Sequence, residues 1–417
     1  MGPDARGRAG NAASAAWRPA LRERGEGSTS RRGGESRIVA LSNSTVNAYI
    51  AGQGVRSFLF EAVLPPTEPQ RALYNRVAKP VVGAFLNGID TCLMTYGQTG
   101  SGKTYTVFGP EGVLDDGPDA TAPDDLPKRA GIVLRACREA LAAAEHMPSV
   151  TLQFSVQYVQ IYQEQITDLV AGGSVSLRQG SSRAELHGCS THEVTCMRDV
   201  LRLLRVGEDR KVFAATKMND HSSRAHTIFI LSAAQIGDGA QLCQSQLHLV
   251  DLAGCEQLKQ SEASGHTKRE AIGINYSLMV LKKCIRALVE SKPHVPYNES
   301  KLTQLLRSSL GGASMTSTII TGAPEDKYAN QTLQALRFGE AIARVTNTIG
   351  GVTTLSAADA MRQLEAALAQ TRGTLASLAA RGKTHLDAYQ KAERLARGLE
   401  QKMDSLGRLA RGTDDGV

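Results

Sequence analysis

Short apolar runs bounded by Gly, Pro, Asp and Ser alternate with longer amphipathic stretches along most of the chain. Residues 151–161 alternate apolar and polar side chains, which predicts a half-buried strand. Residues 72–86 repeat apolar side chains at helical spacing, which predicts an amphipathic helix. Repeated alternation of this kind predicts an α/β fold with a central, mostly parallel sheet flanked by helices.

The same patterns predict further elements in chain order. Strands are predicted at residues 37–50, 57–60, 91–96, 225–234, 246–250 and 316–322. Helices are predicted at residues 131–145, 199–206, 274–290, 300–310 and 330–345.

A glycine-rich stretch follows the predicted strand 91–96 and precedes residues that can open a helix. It fits the pattern G-x-x-x-x-G-K-[ST], in which backbone N–H groups surround phosphate oxygens. Lys103 is long enough to reach the β- and γ-phosphates, and the Thr104 hydroxyl is a candidate ligand of Mg²⁺. The predicted phosphate-binding residues are Gly97, Gln98, Thr99, Gly100, Ser101, Gly102, Lys103 and Thr104.

Two later stretches carry groups that can respond to a γ-phosphate. Asp251 follows the apolar run 247–250, and an acid at the end of a strand beside a phosphate loop suits a water ligand of Mg²⁺. Gly254 can bring its N–H close to a phosphate because it has no side chain. The run 219–226 supplies two adjacent hydroxyls and a cation, from Ser222, Ser223 and Arg224. Each signal is weak alone, but their order after a phosphate loop predicts a nucleotide switch.

Composition limits the classes of protein to consider. The chain has 417 residues, 41% of them hydrophobic, which is enough for one large domain and an appendage or for two domains. No apolar run reaches the roughly 20 residues that a membrane span needs. The 7 cysteines lack metal-ligand or C-x-x-C spacing, which predicts reduced thiols in the cytoplasm. The net charge of +7 suits an acidic partner, either nucleic acid or protein, and is equally explained by ordinary solubility.

The two ends of the chain differ from its middle. Residues 1–16 are rich in Arg, Gly and Ala and predict a disordered leader, without the apolar segment of a signal peptide. Residues 17–350 form the predicted main domain. Residues 412–417 predict a disordered tail.

Beyond Gly351 the chain is dominated by Ala, Leu, Arg and Gln, and a heptad can be laid through it. Its positions are Met361, Leu364, Leu368, Thr371, Leu375, Leu378, Tyr389, Leu399, Met403 and Leu406. Gly382 and His385 interrupt the seam, so residues 355–411 predict an interrupted coiled coil or a helical hairpin. A single amphipathic helix docked on the main domain is the alternative.

Taken together, these motifs resemble those of a kinesin motor domain. Residues 219–226 match the switch I pattern N-x-x-S-S-R-S-H of that family, with Ala225 in place of the last Ser, and residues 251–256 match its switch II pattern D-L-A-G-x-E. Further matches lie at residues 158–168, 294–303, 309–312 and 332–338. The resemblance covers about residues 58–347 and implies a P-loop NTPase fold of the kinesin type, followed by a C-terminal helical or coiled-coil segment.

The resemblance implies a role for each matched residue. Ser222 would contact the γ-phosphate, Gly254 would sense it, and Arg224 would pair with Glu256 to close the site over the attacking water. Glu256 would also relay a proton through water. These four are the predicted catalytic residues. The implied metal ligands are Thr104, Ser223 and, through water, Asp251, so the implied cofactors are ATP and Mg²⁺.

Nucleotide contacts outside the phosphate loop are also implied by the family. Tyr105 would stack on adenine, and Asn219 belongs to the same nucleotide site. Arg18 and Pro19 keep half of an R-x-R-P adenine clamp whose first Arg is Ala16 here.

The family binds microtubules through the loop after switch II, the following helix and the H-V-P-Y…S-K-L-T segment. The matching positions here are Lys268, Arg269, Lys282, Lys283, His294 and Lys301. Tyr276 and Asn298 stand where the family often has basic residues, and a solvated helix face is the alternative explanation of these lysines. After Val345, residues 346–353 correspond to the neck segment, and Gly350 with Gly351 predicts that it docks loosely.

The leading hypothesis is therefore an ATP-hydrolysing microtubule motor in the cytoplasm, associated with the cytoskeleton, with a ciliary location left open. Its expected partners are tubulin and a second copy bound through the C-terminal segment, with no membrane span and no nucleic acid. A weakly motile or non-motile structural protein bound to microtubules is the alternative. A GTPase is disfavoured because the sequence contains no N-K-x-D guanine motif.

Overall fold

A computed structural model describes most of the chain. The described residues are 8–10, 12–17, 37–110, 112–113, 126–146, 151–180, 183–217, 224–236, 242–256, 266–323, 325–350, 354–355 and 357–382, with single positions at 389, 393, 396, 397, 400 and 403. The predicted tail 412–417 and the first seven residues of the predicted leader lie outside them.

Over these residues the chain forms many short strands. They are β1 (Arg8–Gly10), β2 (Ala12–Trp17), β3 (Arg37–Leu41), β4 (Thr45–Ile50), β5 (Gly54–Leu59), β6 (Ala62–Leu64), β7 (Thr91–Gly97), β8 (Thr151–Tyr162), β9 (Gln165–Asp168), β10 (Ser174–Gln179), β11 (Ala184–His187), β12 (His192–Val194), β13 (His226–Ile236), β14 (Leu242–Asp251), β15 (Met315–Gly322), β16 (Thr346–Thr348) and β17 (Thr354–Leu355).

The α-helices alternate with these strands. They are α1 (Gln70–Leu73), α2 (Lys79–Leu86), α3 (Lys103–Val107), α4 (Ile132–His146), α5 (Met197–Lys217), α6 (His266–Val289), α7 (Lys301–Leu305), α8 (Ala329–Ile342) and α9 (Ala357–Ala380). A π-helical segment, Tyr74–Ala78, joins α1 to α2, so the predicted helix 72–86 is one continuous helical stretch.

The main sheet is mixed, with helices packed on it. Its strand order is β11-β10-β9-β8-β13-β14-β7-β15-β2-β6, and β12 pairs with β8. The pairs β14–β7, β7–β15, β15–β2 and β2–β6 are parallel. The pairs among β8, β9, β10, β11 and β12 are antiparallel. The prediction of a mostly parallel sheet therefore holds for one half only, because hairpins build the other half.

Strand β7 lies inside the sheet between β14 and β15, and every one of its residues is buried. A parallel strand that is covered on both faces has a continuous apolar sequence rather than an alternating one. The strand at residues 91–96 was predicted from such a run. Helices α2 and α8 both pack on β7 and β15. The ring of Tyr96 in β7 stacks on that of Phe338 in α8, with centroids 3.6 Å apart. This core holds the end of β7 in a fixed position.

The prediction that residues 1–16 form a disordered leader is wrong for residues 8–10 and 12–16, which lie in strands. β1 pairs antiparallel with β16, and β2 lies between β15 and β6 in the main sheet. These residues are rich in Ala and Gly and are poor strand formers by propensity. Their strand conformation is set by neighbours that are distant in sequence, which local patterns do not reveal.

Three helices have different lengths from those predicted, and α6 begins at His266 rather than near residue 274. α5 extends to Lys217 rather than ending near residue 206, and α7 ends at Leu305. A 3-10 turn at Arg307–Ser309 follows α7, so the predicted helix 300–310 is two shorter pieces. Ser300 caps α7 by accepting a hydrogen bond from the backbone N–H of Leu302 at 3.2 Å.

Residues 144–153, 234–244 and 352–417 belong to a second compact unit. Within it, β17 pairs antiparallel with Leu242 and Cys243 of β14. Leu368 of α9 packs with Ala396, and Arg372 is 2.6 Å from Glu400. Gly382, which has a φ of +65°, lies in the sequence between α9 and the residues 396 and 400 that contact it. The contacts favour the helical hairpin among the predicted alternatives. In the described part of the chain, no helix is both long and apolar enough to span a bilayer.

Candidate functional site

The candidate site lies at the carboxyl ends of three neighbouring parallel strands. In register, Thr95 of β7 lies opposite Asp251 of β14, and Gly97 of β7 lies opposite Thr321 of β15. The phosphate loop leaves β7 at this edge and leads into α3. Carboxyl ends of parallel strands are the usual place for ligands in α/β folds.

The phosphate loop is held in shape by its own polar groups. Ser101 is fully buried, and its Oγ donates to the Gln98 carbonyl at 2.7 Å and lies 2.6 Å from Thr321 Oγ1. A side chain at Gly97 would collide with Thr321 and Ser101. Lys103 is 7% exposed, and its ammonium donates to the Gln98 carbonyl at 2.8 Å. The loop thus places a buried cation among backbone amides, which is the arrangement that binds phosphate.

Asp251 lies beside this loop with both carboxylate oxygens engaged. Thr104 Oγ1 donates to Asp251 Oδ2 at 2.6 Å, and Thr95 Oγ1 donates to Asp251 Oδ1 at 3.2 Å. Burial raises the pKa of Asp251, against the opposing effects of the Lys103 cation and the Thr104 hydrogen bond. Asp251 and Thr104, two of the predicted metal ligands, are therefore in direct contact.

Switch II touches the phosphate loop directly. Glu256 accepts a hydrogen bond from the Thr99 backbone N–H at 2.9 Å and a second from the Thr99 hydroxyl. The Cys255 N–H donates to the Gly97 carbonyl at 3.1 Å. A side chain at Gly254 would collide with Thr99 Oγ1 and the Glu256 carboxylate, so the hydrogen-bonded contact between these two residues would have to shift.

The predicted partner of Glu256, Arg224, is half-buried at the start of the chain segment that leads into β13. Glu256 hydrogen-bonds to Thr99 in this structure, so the Arg224–Glu256 pair stays a prediction. Asn219, Ser222, Ser223, Arg18 and Pro19 lie outside the described residues. Tyr105 is half-buried, and its carbonyl accepts a hydrogen bond from Gln70. Its adenine contact stays a prediction.

The residues predicted to bind the microtubule lie on α6, on α7 and in the segment between them. Lys282, Lys283 and His294 are exposed, and Lys301 is half-buried. Lys283 Nζ is 3.0 Å from Glu299, and the Lys282 ammonium lies 6.0 Å from the centre of the Tyr96 ring. The side chains of Lys268 and Arg269 lie outside what the structure describes.

The segment after Val345 is docked, which corrects the prediction that Gly350 and Gly351 would loosen it. Asn347 is 1% exposed, and its Nδ2 lies 2.7 Å from the Ser314 carbonyl and 3.1 Å from that of Ser309. The Gly311 N–H donates to Asn347 Oδ1 at 2.8 Å. The Gly350 N–H donates to the Ala313 carbonyl at 3.0 Å, so the glycine itself takes part in docking.

Sequence reasoning missed two of these groups, Thr95 and His226, as parts of the site. Thr95 could have been noticed, because it is a polar residue inside an otherwise apolar, buried strand. His226 ends the switch I pattern but received no role. Its Nδ1 accepts a hydrogen bond from the Ala253 N–H at 3.0 Å.

Comparison with known proteins agrees with this geometry. The kinesin motor domain family matches residues 18–345. The kinesin-like protein KIN-UA of Oryza sativa subsp. japonica is 35% identical over 317 residues, which is 70% of this chain and 32% of that protein. The kinesin-like protein KIN-UC of Arabidopsis thaliana is 37% identical over 312 residues, 70% of this chain and 28% of that protein. The chain thus spans about a third or less of these relatives.

Two solved structures share the fold. One, described as the structure of a fast kinesin, has a TM-score of 0.71 at 31% identity, covering 83% of this chain and 94% of that one. The other, a KIF14 dimer with AMP-PNP in complex with a microtubule, has a TM-score of 0.69 at 28% identity, covering 83% and 96%. With a family match over most of its length and a phosphate loop in contact with switch II, this chain belongs to the kinesin motor domain family.

Proposed function

We propose that this protein is a microtubule motor that couples ATP hydrolysis to movement or force. The observation that carries the proposal is the contact between the phosphate loop and switch II. Thr104 binds Asp251 and Thr99 binds Glu256, so switch II touches at both of its ends the loop that would hold the nucleotide.

The site chemistry fits a nucleotide bound with Mg²⁺. Within the described residues, no cluster of three or more His, Cys, Asp or Glu is arranged as a metal site. Mg²⁺ with a nucleotide does not need one, because phosphate oxygens, waters and one or two protein oxygens complete its coordination. Thr104 and Asp251 supply a hydroxyl and a carboxylate in contact at 2.6 Å, and Ser223 is the third proposed ligand. When bound, Mg²⁺ would neutralise charge on the phosphates.

Different side chains and backbone amides of the protein would each have a separate role in ATP hydrolysis. Lys103 and the loop amides bind the phosphates, and Gly254 brings switch II close without a side chain in the way. Glu256 holds and moves a proton through water, and Arg224 pairs with Glu256 when switch I closes. Ser222 contacts the γ-phosphate. Asn219, Tyr105, Arg18 and Pro19 hold the rest of the nucleotide.

Movement would require that conformational changes at this site reach the microtubule-binding surface and the neck segment, residues 346–353. Helix α6 follows switch II in the chain and carries Lys282 and Lys283 on its exposed face. We infer that these lysines, with Lys268, Arg269, His294 and Lys301, face the acidic surface of a microtubule. The segment after Val345 is docked through β16 and Asn347 and would undock when the switches open.

A weakly motile, microtubule-bound structural protein is the second candidate. The ion pairs of Lys283 with Glu299 and of Arg286 with Glu290 favour it, since both neutralise positive charge on or near the proposed track-binding face. A gliding assay on the full chain separates the two. Steady gliding with ATP supports the motor, and tight binding without movement supports the structural protein.

A homodimer through residues 355–411 belongs to the same proposal. Leu368 already packs against Ala396 of the same chain. A coiled coil between two copies would have to replace this contact with one between the two chains. Sedimentation equilibrium tests it, and a monomer at all concentrations would remove the dimer. We place the protein in the cytoplasm, on the microtubule cytoskeleton.

The assignment of the nucleotide is tested by competition. ATP should displace a fluorescent ADP from the full chain far better than GTP does. Lys103→Ala should bind either nucleotide at least about tenfold more weakly, because a hydrogen bond to a charged group contributes about 1.5–3 kcal/mol. A preference for GTP would overturn the assignment.

A further inference from the structure

His226 connects two structural elements that the proposed function requires to move together. Its Nδ1 is 3.0 Å from the backbone nitrogen of Ala253 in switch II, and its Nε2 is 2.7 Å from Ser277 Oγ in α6. Both side chains are almost fully buried, His226 at 2% and Ser277 at 4% exposure. No role has been given to either residue so far.

The protonation of the ring follows from these partners. A backbone N–H can only donate, so Nδ1 must be the unprotonated nitrogen that accepts from Ala253. The proton of the neutral ring then lies on Nε2, which donates to Ser277 Oγ. Burial, together with the smaller effect of the nearby Lys103 cation, lowers the pKa of His226 to about 3. The ring therefore stays neutral, and both nitrogens are committed to these two hydrogen bonds.

The position of His226 in the chain adds a third connection. It is two residues after Arg224, the first described residue of the switch I pattern, and Ala253 directly precedes Gly254. Ser277 lies in α6 five residues before Lys282, which is about 7.5 Å along a helix. A single rigid ring thus joins the end of switch I, the backbone of switch II and the helix that carries the proposed track-binding lysines.

We propose that His226 is a positioning residue that couples switch II to helix α6 through Ser277. This inference rests on the proposed function. When switch II moves toward or away from a phosphate, the short hydrogen bond at Ala253 moves the ring, and the ring moves α6 through Ser277. Binding of a microtubule to α6 acts on switch II along the same path in reverse, because coupling between two sites is reciprocal.

The coupling role predicts a result that a purely structural role would not. Ser277→Ala removes only the α6 end of the link and keeps the ring bound to Ala253. We expect its basal ATP turnover to stay within about twofold of the unmodified protein while stimulation by microtubules falls at least about fivefold, the lower end of typical coupling between sites. His226→Asn is the second variant, because its shorter amide can still accept from Ala253 but cannot reach Ser277. It should show the same loss.

Ser245→Ala is the matched control. Ser245 is 1% exposed and donates to the Phe85 carbonyl at 2.9 Å, away from the switches. Ser245→Ala also removes one buried serine hydrogen bond, so it should lower the melting temperature similarly and keep full microtubule stimulation.

The experiment measures basal and microtubule-stimulated ATP turnover and the melting temperature of the full chain and these three variants. Selective loss of stimulation in Ser277→Ala and His226→Asn supports the coupling. Equal stimulation in Ser277→Ala and Ser245→Ala overturns it, even if His226→Asn fails to fold. If the unmodified protein shows no stimulation, the proposed function fails instead, so the two failures are distinguishable.

Discussion

The Glu256 carboxylate and Thr99 are joined by hydrogen bonds from both the backbone N–H and the hydroxyl of Thr99, the first at 2.9 Å. Switch II and the phosphate loop therefore share a polar contact. The Thr99 N–H is also one of the loop amides predicted to bind phosphate. A carboxylate and a phosphate would compete for it, which makes Glu256 the first residue to test.

Glu256→Gln should keep nucleotide binding and lose hydrolysis. An amide of the same shape cannot relay a proton, and positioned proton transfer contributes about 10²–10⁴-fold to a rate. Fluorescent ADP binding and phosphate release measured on the same preparation separate the two effects. Glu340→Gln is the control, since Glu340 pairs with Arg56 at an exposed site. Normal turnover in Glu256→Gln would exclude the relay.

Arg224→Ala should also retain nucleotide binding and lose hydrolysis, because closure over the attacking water needs the pair with Glu256. A double-mutant cycle tests the pair itself. The variant with both Arg224→Ala and Glu256→Gln should be no slower than the slower single variant. Losses that simply multiply would show that the two residues act independently.

The phosphate loop was predictable because its function depends on residues that are adjacent in sequence. The contact of Thr95 with Asp251 was not, since it joins residues 156 positions apart. β2 shows the same limit, because its Ala-rich sequence is a strand only between β15 and β6. The C-terminal heptad predicted an apolar seam correctly at Leu368 but could not say whether its partner lies in the same chain.

The free energy of unfolding should decrease as the pH falls below neutrality, because two histidines are buried. Burial lowers the pKa of His226 to about 3 and that of His248 to about 4, whereas in the unfolded chain both titrate near 6.5. The unfolded state therefore binds more protons below pH 6.5, and the stability that the neutral rings provide is lost as pH falls toward their folded pKa values.

By pH 5 each histidine should lower the free energy of unfolding by about 2 kcal/mol, from 1.36 kcal/mol per pKa unit. Urea unfolding at about pH 7.5 and pH 5 measures the difference, and His226→Asn should shrink it by about half. Equal stability at the two pH values would contradict the buried, neutral state of both rings.

Asn347→Ala should separate ATP hydrolysis from movement. It leaves the buried carbonyl of Ser314 without a donor and the Gly311 N–H without an acceptor, at about 1–3 kcal/mol for each, so the docked segment is destabilised. We expect ATP turnover within about threefold of the unmodified protein and gliding slowed at least about tenfold, in proportion to the lost docking. Asn87→Ala is the control, since Asn87 makes one exposed hydrogen bond to Gly83. Unchanged gliding in Asn347→Ala would exclude a mechanical role for docking.

The central claim is that the phosphate loop and its two switches form an ATPase governed by a microtubule. Steady-state ATP turnover of the full chain, measured against microtubule concentration, tests it most directly. The account predicts slow turnover without microtubules and a saturable increase with them, which is lost in Glu256→Gln. Turnover that does not respond to microtubules at any concentration would contradict it.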